Sequence, residues 1–236
     1  MLDSKFWAKY FKVYDVLNLL IPYQELLETI CNELEIKPGE KILEAGCGTG
    51  NLAIKIKERG GDVIGLDNCK EALEIYKKKD PDAKVVLADL RKKLPFLDNY
   101  FDKIACNNTL YIIPKEKQID TLKEFYRVLK AGGKIVLTNP IKGAKPIKIY
   151  FNGIKKDLQR NGWIKTVKDI TLMAIPTIKI LYYNRLILKE GERESYKFFD
   201  LNEQRELLEK TGFVSSSQTK LVYEGQAILD SGIKLT

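Results

Sequence analysis

The sequence contains no histidine and only four cysteines among its 236 residues. The lack of histidine excludes a Ser-His-Asp hydrolase, a histidine proton shuttle and a histidine-ligated zinc site. The cysteines are widely separated, so no Cys-x-x-Cys pair for zinc or redox chemistry is present. They are Cys31, Cys47, Cys69 and Cys106. We expect them to be buried, reduced thiols.

Long apolar runs are also lacking. No uninterrupted apolar segment approaches the ~20 residues that span a bilayer, and the stretch after Met1 is amphipathic rather than a secretory signal. With 16 glycines and 8 prolines, the composition is not that of a collagen-like or low-complexity chain. The 44% of hydrophobic residues suffices for a core, and we expect one cytoplasmic domain over residues 1–236.

Strands and helices alternate along most of the chain. Two helices are predicted within residues 1–36, forming an N-terminal cap, and five short apolar segments alternate with helices from residue 38 to 140. This alternation predicts a doubly wound α/β fold with a mostly parallel sheet. Residues 141–198 interrupt the pattern as a helical insertion with a break at Pro176. A closing antiparallel pair is expected between residues 214 and 229.

The most informative motif is a glycine loop between the first strand and the following helix. Glycine recurs at every second position, Gly46, Gly48 and Gly50, whereas dinucleotide sites use Gly-x-Gly-x-x-Gly. Glu44 stands two residues before the first glycine, where it would repel a pyrophosphate but suit an amino group and a cationic centre. The loop therefore favours S-adenosylmethionine (SAM) over NAD.

Two further acids follow the second and third strands at the same edge of the sheet. Asp67 can accept hydrogen bonds from both ribose hydroxyls, and such charge-assisted bonds are strong. Asp89 is placed to accept from an adenine amino group, with Leu66, Asn68 and Leu90 around the ring. Asp67 alone does not distinguish SAM from a dinucleotide.

Five motifs together resemble those of class I SAM-dependent methyltransferases. They are Ile-Leu-Glu-Ala-Gly-Cys-Gly-Thr-Gly (42–50), Gly-Leu-Asp (65–67), Ala-Asp-Leu (88–90), Leu-Pro-Phe-Leu-Asp-Asn-Tyr-Phe-Asp (94–102) and Glu-Phe-Tyr-Arg-Val-Leu-Lys-Ala-Gly-Gly-Lys (124–134). The branch that is most similar is methyltransferase type 11, which includes the ubiquinone and menaquinone C-methyltransferases. The resemblance implies a seven-stranded Rossmann-like sheet, SAM as cofactor, S-adenosylhomocysteine as product and no metal.

The resemblance also implies roles at the cofactor site. The three loop glycines would pass beneath the methionine part, Glu44 and Asn107 would hold its polar end, and Asp67 would take the ribose. The complete predicted cofactor site consists of Tyr14, Glu44, Gly46, Cys47, Gly48, Gly50, Asn51, Asp67, Asn68, Asp89, Leu90 and Asn107.

The sequence departs from the quinone enzymes at two places. Those enzymes usually carry an acid at the position of Asn51, and an Arg-Asn stretch where this chain has residues 106–110. These departures argue against a quinone-precursor acceptor. Residues 107–110, Asn-Asn-Thr-Leu, also differ from the Asn/Asp-Pro-Pro-aromatic tetrad of enzymes that methylate base amino groups.

Methyl transfer needs mainly a positioned and desolvated nucleophile. If a base is required, the candidates include Tyr14 and Tyr111, with Tyr10 and Asp15 as further possibilities, and the catalytic residue stays unassigned. The aromatic first helix resembles the lid of related enzymes. Tyr14 would then cover the sulfonium, although ordinary core packing explains it equally well.

All of the formal net charge of +8 lies in residues 142–190, which hold eleven Lys and Arg against three acids. This segment is also apolar at helical spacing. It can be a lid with solvated lysines, a pocket for a hydrophobic or amphiphilic acceptor, or a peripheral contact with an anionic membrane. RNA contact rests on charge alone.

The sequence predicts a SAM-dependent methyltransferase acting on a small hydrophobic or amphiphilic acceptor at oxygen, nitrogen or carbon. An RNA methyltransferase and a SAM-binding protein without transferase activity are the alternatives.

Overall fold

The computed structural model describes residues 2–193 and 195–235. Its helices are α1 (Ser4–Tyr14), α2 (Ile21–Leu34), α3 (Asn51–Glu58), α4 (Lys70–Lys79), α5 (Lys115–Val128), α6 (Pro146–Glu192) and α7 (Glu203–Lys210), with 3-10 turns η1 (Asp15–Leu19) and η2 (Leu110–Ile112). Its strands are β1 (Lys41–Ala45), β2 (Asp62–Asp67), β3 (Lys84–Leu87), β4 (Phe101–Asn107), β5 (Leu129–Pro140), β6 (Phe213–Ser215), β7 (Lys220–Val222) and β8 (Ala227–Lys234).

The strands form one sheet in the order β3-β2-β1-β4-β5-β8-β6, with β7 also paired to β8. The first five are parallel, and β8 runs antiparallel to β5. Because β6 and β7 pair with opposite ends of β8, they share one edge position. The eight strands therefore occupy seven positions, which agrees with the predicted seven-stranded sheet.

Alternating apolar side chains place the sheet between two helical layers. Ile42 packs in the core on the side of α2 and α3, whereas its neighbour Leu43 packs on the side of α5 and α7. The order of strands reverses between β1 and β4, and in such sheets ligands bind outside the carboxyl ends of the strands at that point.

The closing strands differ from the sequence reading. The expected strand over residues 214–221 is divided, since Ser216 and Ser217 hydrogen-bond to Ser231 instead of continuing β6. Strand β8 extends past Leu229 through buried Asp230, whose carboxylate accepts hydrogen bonds from Gln204 (2.9 Å) and Thr219 (2.6 Å).

The insertion is dominated by α6, and its break lies elsewhere than predicted. Gly162 has φ 75° and ψ 171°, so the helix kinks there, while it continues through Pro176. The ring of proline fixes φ at a helical value, so Pro176 fits within the helix, whereas the torsions of Gly162 interrupt it. Within the described part of the chain, no helix has both the length and the apolar character needed to cross a bilayer.

Candidate functional site

A cavity of about 490 Å³ opens at the carboxyl ends of β1, β2 and β4, below α1 and α6. Among the predicted residues that line it are both tyrosine candidates and most of the cofactor set. These residues are Tyr14, Glu44, Gly46, Cys47, Gly48, Asn51, Asp67, Asn68, Asp89, Leu90, Asn107 and Tyr111. The topology thus brings strand ends that are far apart in sequence to one cavity.

Local hydrogen bonds and close packing shape the glycine loop. The N–H groups of Gly46 and Cys47 both donate to the Leu66 carbonyl, at 2.7 and 3.0 Å, which ties the loop to β2. Gly48 has φ 51°, and a Cβ at this position would lie 2.7 Å from the ring of Phe11 in α1. Only glycine therefore fits beneath this ring without displacing it.

Gly50 differs from the other loop glycines because it is not among the residues lining the cavity. It precedes α3 with φ 77°, and a Cβ there would overlap the ring of Tyr76. Its position indicates a packing role rather than the predicted contact with the cofactor.

Asp67 is buried at the end of β2 and organises the backbone around it. One carboxylate oxygen accepts from Gly48 N–H and the other from Cys69 N–H, each at 2.8 Å. Each oxygen has a second lone pair, so the carboxylate retains acceptor capacity for a ligand. Burial raises the pKa of Asp67 above its usual range.

Glu44 is 3% exposed, and its Oε2 has no hydrogen-bond partner among the residues that the structure describes. Burial, with a contribution from the Asp67 charge, raises the pKa of Glu44 to about 8. An orphaned buried carboxylate oxygen is costly unless a ligand supplies a donor or a positive charge. The ammonium group of SAM supplies both, so this residue fits the cofactor that the sequence predicts.

The third acid, Asp89, is already partnered. Arg91 donates to its carboxylate from Nε (2.9 Å) and Nη2 (2.8 Å), and these bonds lower the pKa of Asp89. Nearby, the side-chain oxygen of Asn107 accepts from Thr138 Oγ1 at 2.9 Å, which fixes the amide at the end of β4.

A polar network beside the cavity involves Asn51 and the candidate base Asp15. The Asn51 amide joins Asn18 (3.0 Å), Tyr23 (3.3 Å) and Lys79 (2.6 Å). Asp15 is bound by Thr49 Oγ1 at 2.6 Å and by Lys79 at 2.9 Å, and it is not among the residues that line the cavity. Its placement argues against Asp15 as a base.

Aromatic side chains form a second group in the cavity lining, here called its aromatic end, and the acids at the strand ends form its acidic end. The tyrosines of the aromatic end come from α1, η2, α6 and the turn after β7: Tyr10, Tyr14, Tyr111, Tyr150 and Tyr223. Burial raises the pKa of Tyr10, Tyr14 and Tyr111, so their phenols are neutral near pH 7 and suit hydrogen bonding better than proton abstraction. The role of Tyr14 and Tyr111 as bases stays a prediction.

Sequence reasoning missed Tyr150 and Tyr223. Tyr150 is buried in α6, and its hydroxyl has no hydrogen-bond partner among the described residues. Neither tyrosine belongs to a motif, and only the packing of α6 and of the β7–β8 turn over the sheet brings them to the cavity. Phe11, which covers Gly48, was also missed, although its place in an aromatic helix was a usable signal.

Comparison with known proteins agrees with this geometry. The family described as "Methyltransferase domain" matches residues 42–133. Demethylmenaquinone methyltransferase from Lactobacillus johnsonii is 30% identical over 215 residues, covering 86% of this chain and 79% of that protein.

Another relative, demethylmenaquinone methyltransferase from Staphylococcus saprophyticus, is 34% identical over 152 residues, or 58% of this chain. That match spans 64% of the Staphylococcus protein, which is less than two thirds of its length.

The fold agrees as well. The crystal structure of a SAM-dependent methyltransferase from Aquifex aeolicus superposes with a TM-score of 0.64 at 16% identity, covering all of both chains. The chain belongs to the class I SAM-dependent methyltransferases.

Proposed function

We propose that the protein transfers a methyl group from SAM to a small, largely apolar acceptor, at oxygen, nitrogen or carbon. The observation that carries this proposal is the mixed lining of the cavity. Buried acids at the strand ends suit the cofactor, and neutral aromatic and aliphatic side chains make up much of the remaining lining.

The acidic end would hold the cofactor through residues with separate tasks. Glu44 would pair with the ammonium group, and Asp67 would accept from the ribose hydroxyls while it keeps the Gly48 loop in place. When bound, SAM supplies an electrophilic methyl group, and S-adenosylhomocysteine would be the product.

The aromatic end would position the acceptor and exclude water. Tyrosine rings offer flat apolar surface together with hydroxyl donors and acceptors. The Tyr23 hydroxyl lies 3.4 Å from that of Tyr14, and the Tyr10 hydroxyl lies 3.5 Å from Asn184 Oδ1. Proximity and alignment in such a chamber supply most of what an in-line transfer requires.

Other features bear on the acceptor. The relatives named above are demethylmenaquinone methyltransferases, which supports an apolar acceptor, while the departures at Asn51 and residues 106–110 argue against a quinone precursor itself. Arg91 in the cavity lining is neutralised by Asp89, so this basic group is not free for a phosphate backbone. The apolar lining around it favours a small molecule, since the basic residues of the α6 segment that have no ion pair to a described residue do not line the cavity. The four buried free cysteines support a cytoplasmic site of action.

The test has two stages. Calorimetry should show binding of SAM and of S-adenosylhomocysteine to the purified chain, and failure to bind either would refute the proposal. The chain is then incubated with methyl-labelled SAM and cell extract, which is fractionated into lipid, small-molecule and RNA pools.

We expect label in the lipid or small-molecule pool. Label in RNA alone would establish the RNA alternative, and binding of SAM without transfer to any pool would indicate a SAM-binding protein. Asp67→Asn serves as the inactive control, and Asp62→Asn at the opposite end of β2 serves as the matched active control.

A further inference from the structure

The second half of α6 packs on the protein along a seam of buried side chains, and near its C-terminus Tyr183 also contacts Phe6 and Tyr10 of α1. Thr166, Met173, Ile180 and Ile187 are buried, and they recur at every seventh residue. This spacing places them on one line along a helix. These four residues therefore bury only one side of the helix.

The opposite side of the same helix is apolar and exposed. Its members are between 55% and 69% exposed: Trp163, Ile164, Val167, Ile175 and Ile178. Single exposed apolar residues are ordinary, but a continuous patch of large ones marks an interaction surface. We call this set the outer face of α6.

The first half of α6 has the same arrangement. Ile147, Phe151, Ile154 and Leu158 follow one another at intervals of three or four residues and are all exposed, while Ile149 and Tyr150 are buried behind them. Both halves of the helix thus use one side for the cavity and the core, and leave an apolar stripe on the other.

Basic side chains accompany these stripes. The exposed ones without an ion pair to any described residue are Lys145, Lys148, Lys155, Lys168, Lys179, Arg185 and Lys189. On a helical projection, Lys168 and Lys179 lie along one border of the outer face. Acids in the segment are paired instead: Asp169, for example, lies 3.3 Å from Lys165.

We infer that the outer face of α6 binds the surface of an anionic phospholipid bilayer. Apolar side chains would enter the boundary between headgroups and acyl chains, and the flanking lysines would contact the phosphates. Trp163 would lie at the headgroup level, where tryptophan is favoured. The inference does not depend on methyl transfer.

Charge and apolar exposure together argue against a second copy of the chain and against nucleic acid as the partner of this face. Pairing the outer faces of two copies would bring together two segments of net charge +8. Nucleic acid would satisfy the lysines but would leave the large apolar side chains in water. A bilayer with anionic lipid satisfies both groups at once.

The test measures partitioning of the full chain on vesicles of phosphatidylcholine with or without phosphatidylglycerol. We expect binding to the anionic vesicles only, weakening at raised salt, and a blue shift of tryptophan emission that Trp163→Phe abolishes. The double variants Trp163→Ser/Ile178→Ser and Lys168→Gln/Lys179→Gln should each weaken partitioning by about tenfold or more.

Matched controls lie elsewhere on the surface. Leu97→Ser/Leu221→Ser removes two exposed apolar side chains, and Lys77→Gln/Lys78→Gln removes two exposed lysines of α4. These controls should retain full partitioning. All four double variants should retain the SAM affinity of the unaltered chain, which shows that they fold and separates this test from that of the methyl transfer.

Three results would overturn the inference. One is the absence of binding to anionic vesicles. Another is equal loss of partitioning in the controls. The third is a concentration-dependent dimer or an RNA complex that Trp163→Ser/Ile178→Ser abolishes while vesicle binding is unchanged.

Discussion

The two groups of residues that line the cavity are built in different ways. The acidic end comes from residues 44–107, where the predicted cofactor residues lie at or just after strand ends, and Asp67 is fixed there by the backbone N–H groups of Gly48 and Cys69. The aromatic end combines Tyr10, Tyr150 and Tyr223, which are far apart in sequence and meet only when α1 and α6 pack over the sheet. The predicted cofactor residues thus follow from local sequence, whereas the proposed acceptor chamber depends on tertiary packing.

The sharpest way to test the acidic end is the titration of Glu44. Between pH 4.5 and about 8, the folded chain keeps a proton on Glu44 that the unfolded chain releases. Its free energy of unfolding should therefore fall as pH rises across that window, relative to Glu44→Gln, by on the order of 3–5 kcal/mol.

Denaturant unfolding of both proteins without SAM, from pH 5 to pH 8.5, measures this difference. If the free energies of unfolding of the two proteins differ by the same amount at every pH, Glu44 is not held in a buried, unpartnered state.

A second variant tests the proposed ribose contact of Asp67. Asp67→Asn should weaken SAM binding by about a hundredfold or more, because charge-assisted hydrogen bonds to two hydroxyls are each worth ~1.5–3 kcal/mol. Calorimetry measures the change. Asp62→Asn, an exposed carboxylate at the start of the same strand that pairs with Lys84, should bind SAM normally. Equal affinities in the two variants would contradict the ribose role.

The aromatic end is tested by a smaller change. Tyr150→Phe removes one buried hydroxyl that lacks a partner in the described chain, and it should raise the KM for the acceptor by about three- to tenfold without altering SAM affinity. Tyr76→Phe is the matched control, because its hydroxyl is also buried and unpartnered but does not line the cavity. A KM change in both variants, or in neither, would remove Tyr150 from the acceptor chamber.

The sequence predicted correctly those parts of the fold that depend on neighbouring residues in the chain. The short apolar runs predicted β1 to β4, and the strand ends placed Glu44 and Asp67 correctly at one edge. The prediction was wrong where contacts between distant residues determine the extent of an element. Strand β8 continues through Asp230 because Gln204 and Thr219 satisfy a carboxylate that looked like the end of a strand.

The kink at Gly162 divides α6 into two halves that are attached to different parts of the protein. On its N-terminal side, Lys156 and Arg160 bind Glu25 of α2 at 2.5 and 2.6 Å, which anchors that half to the cap. Beyond the kink, Tyr183 packs edge-on against Phe6 and Tyr10 of α1, in addition to the seam of four buried side chains. The two halves of α6 thus tie different helices of the N-terminal cap over the sheet, α2 before the kink and α1 after it.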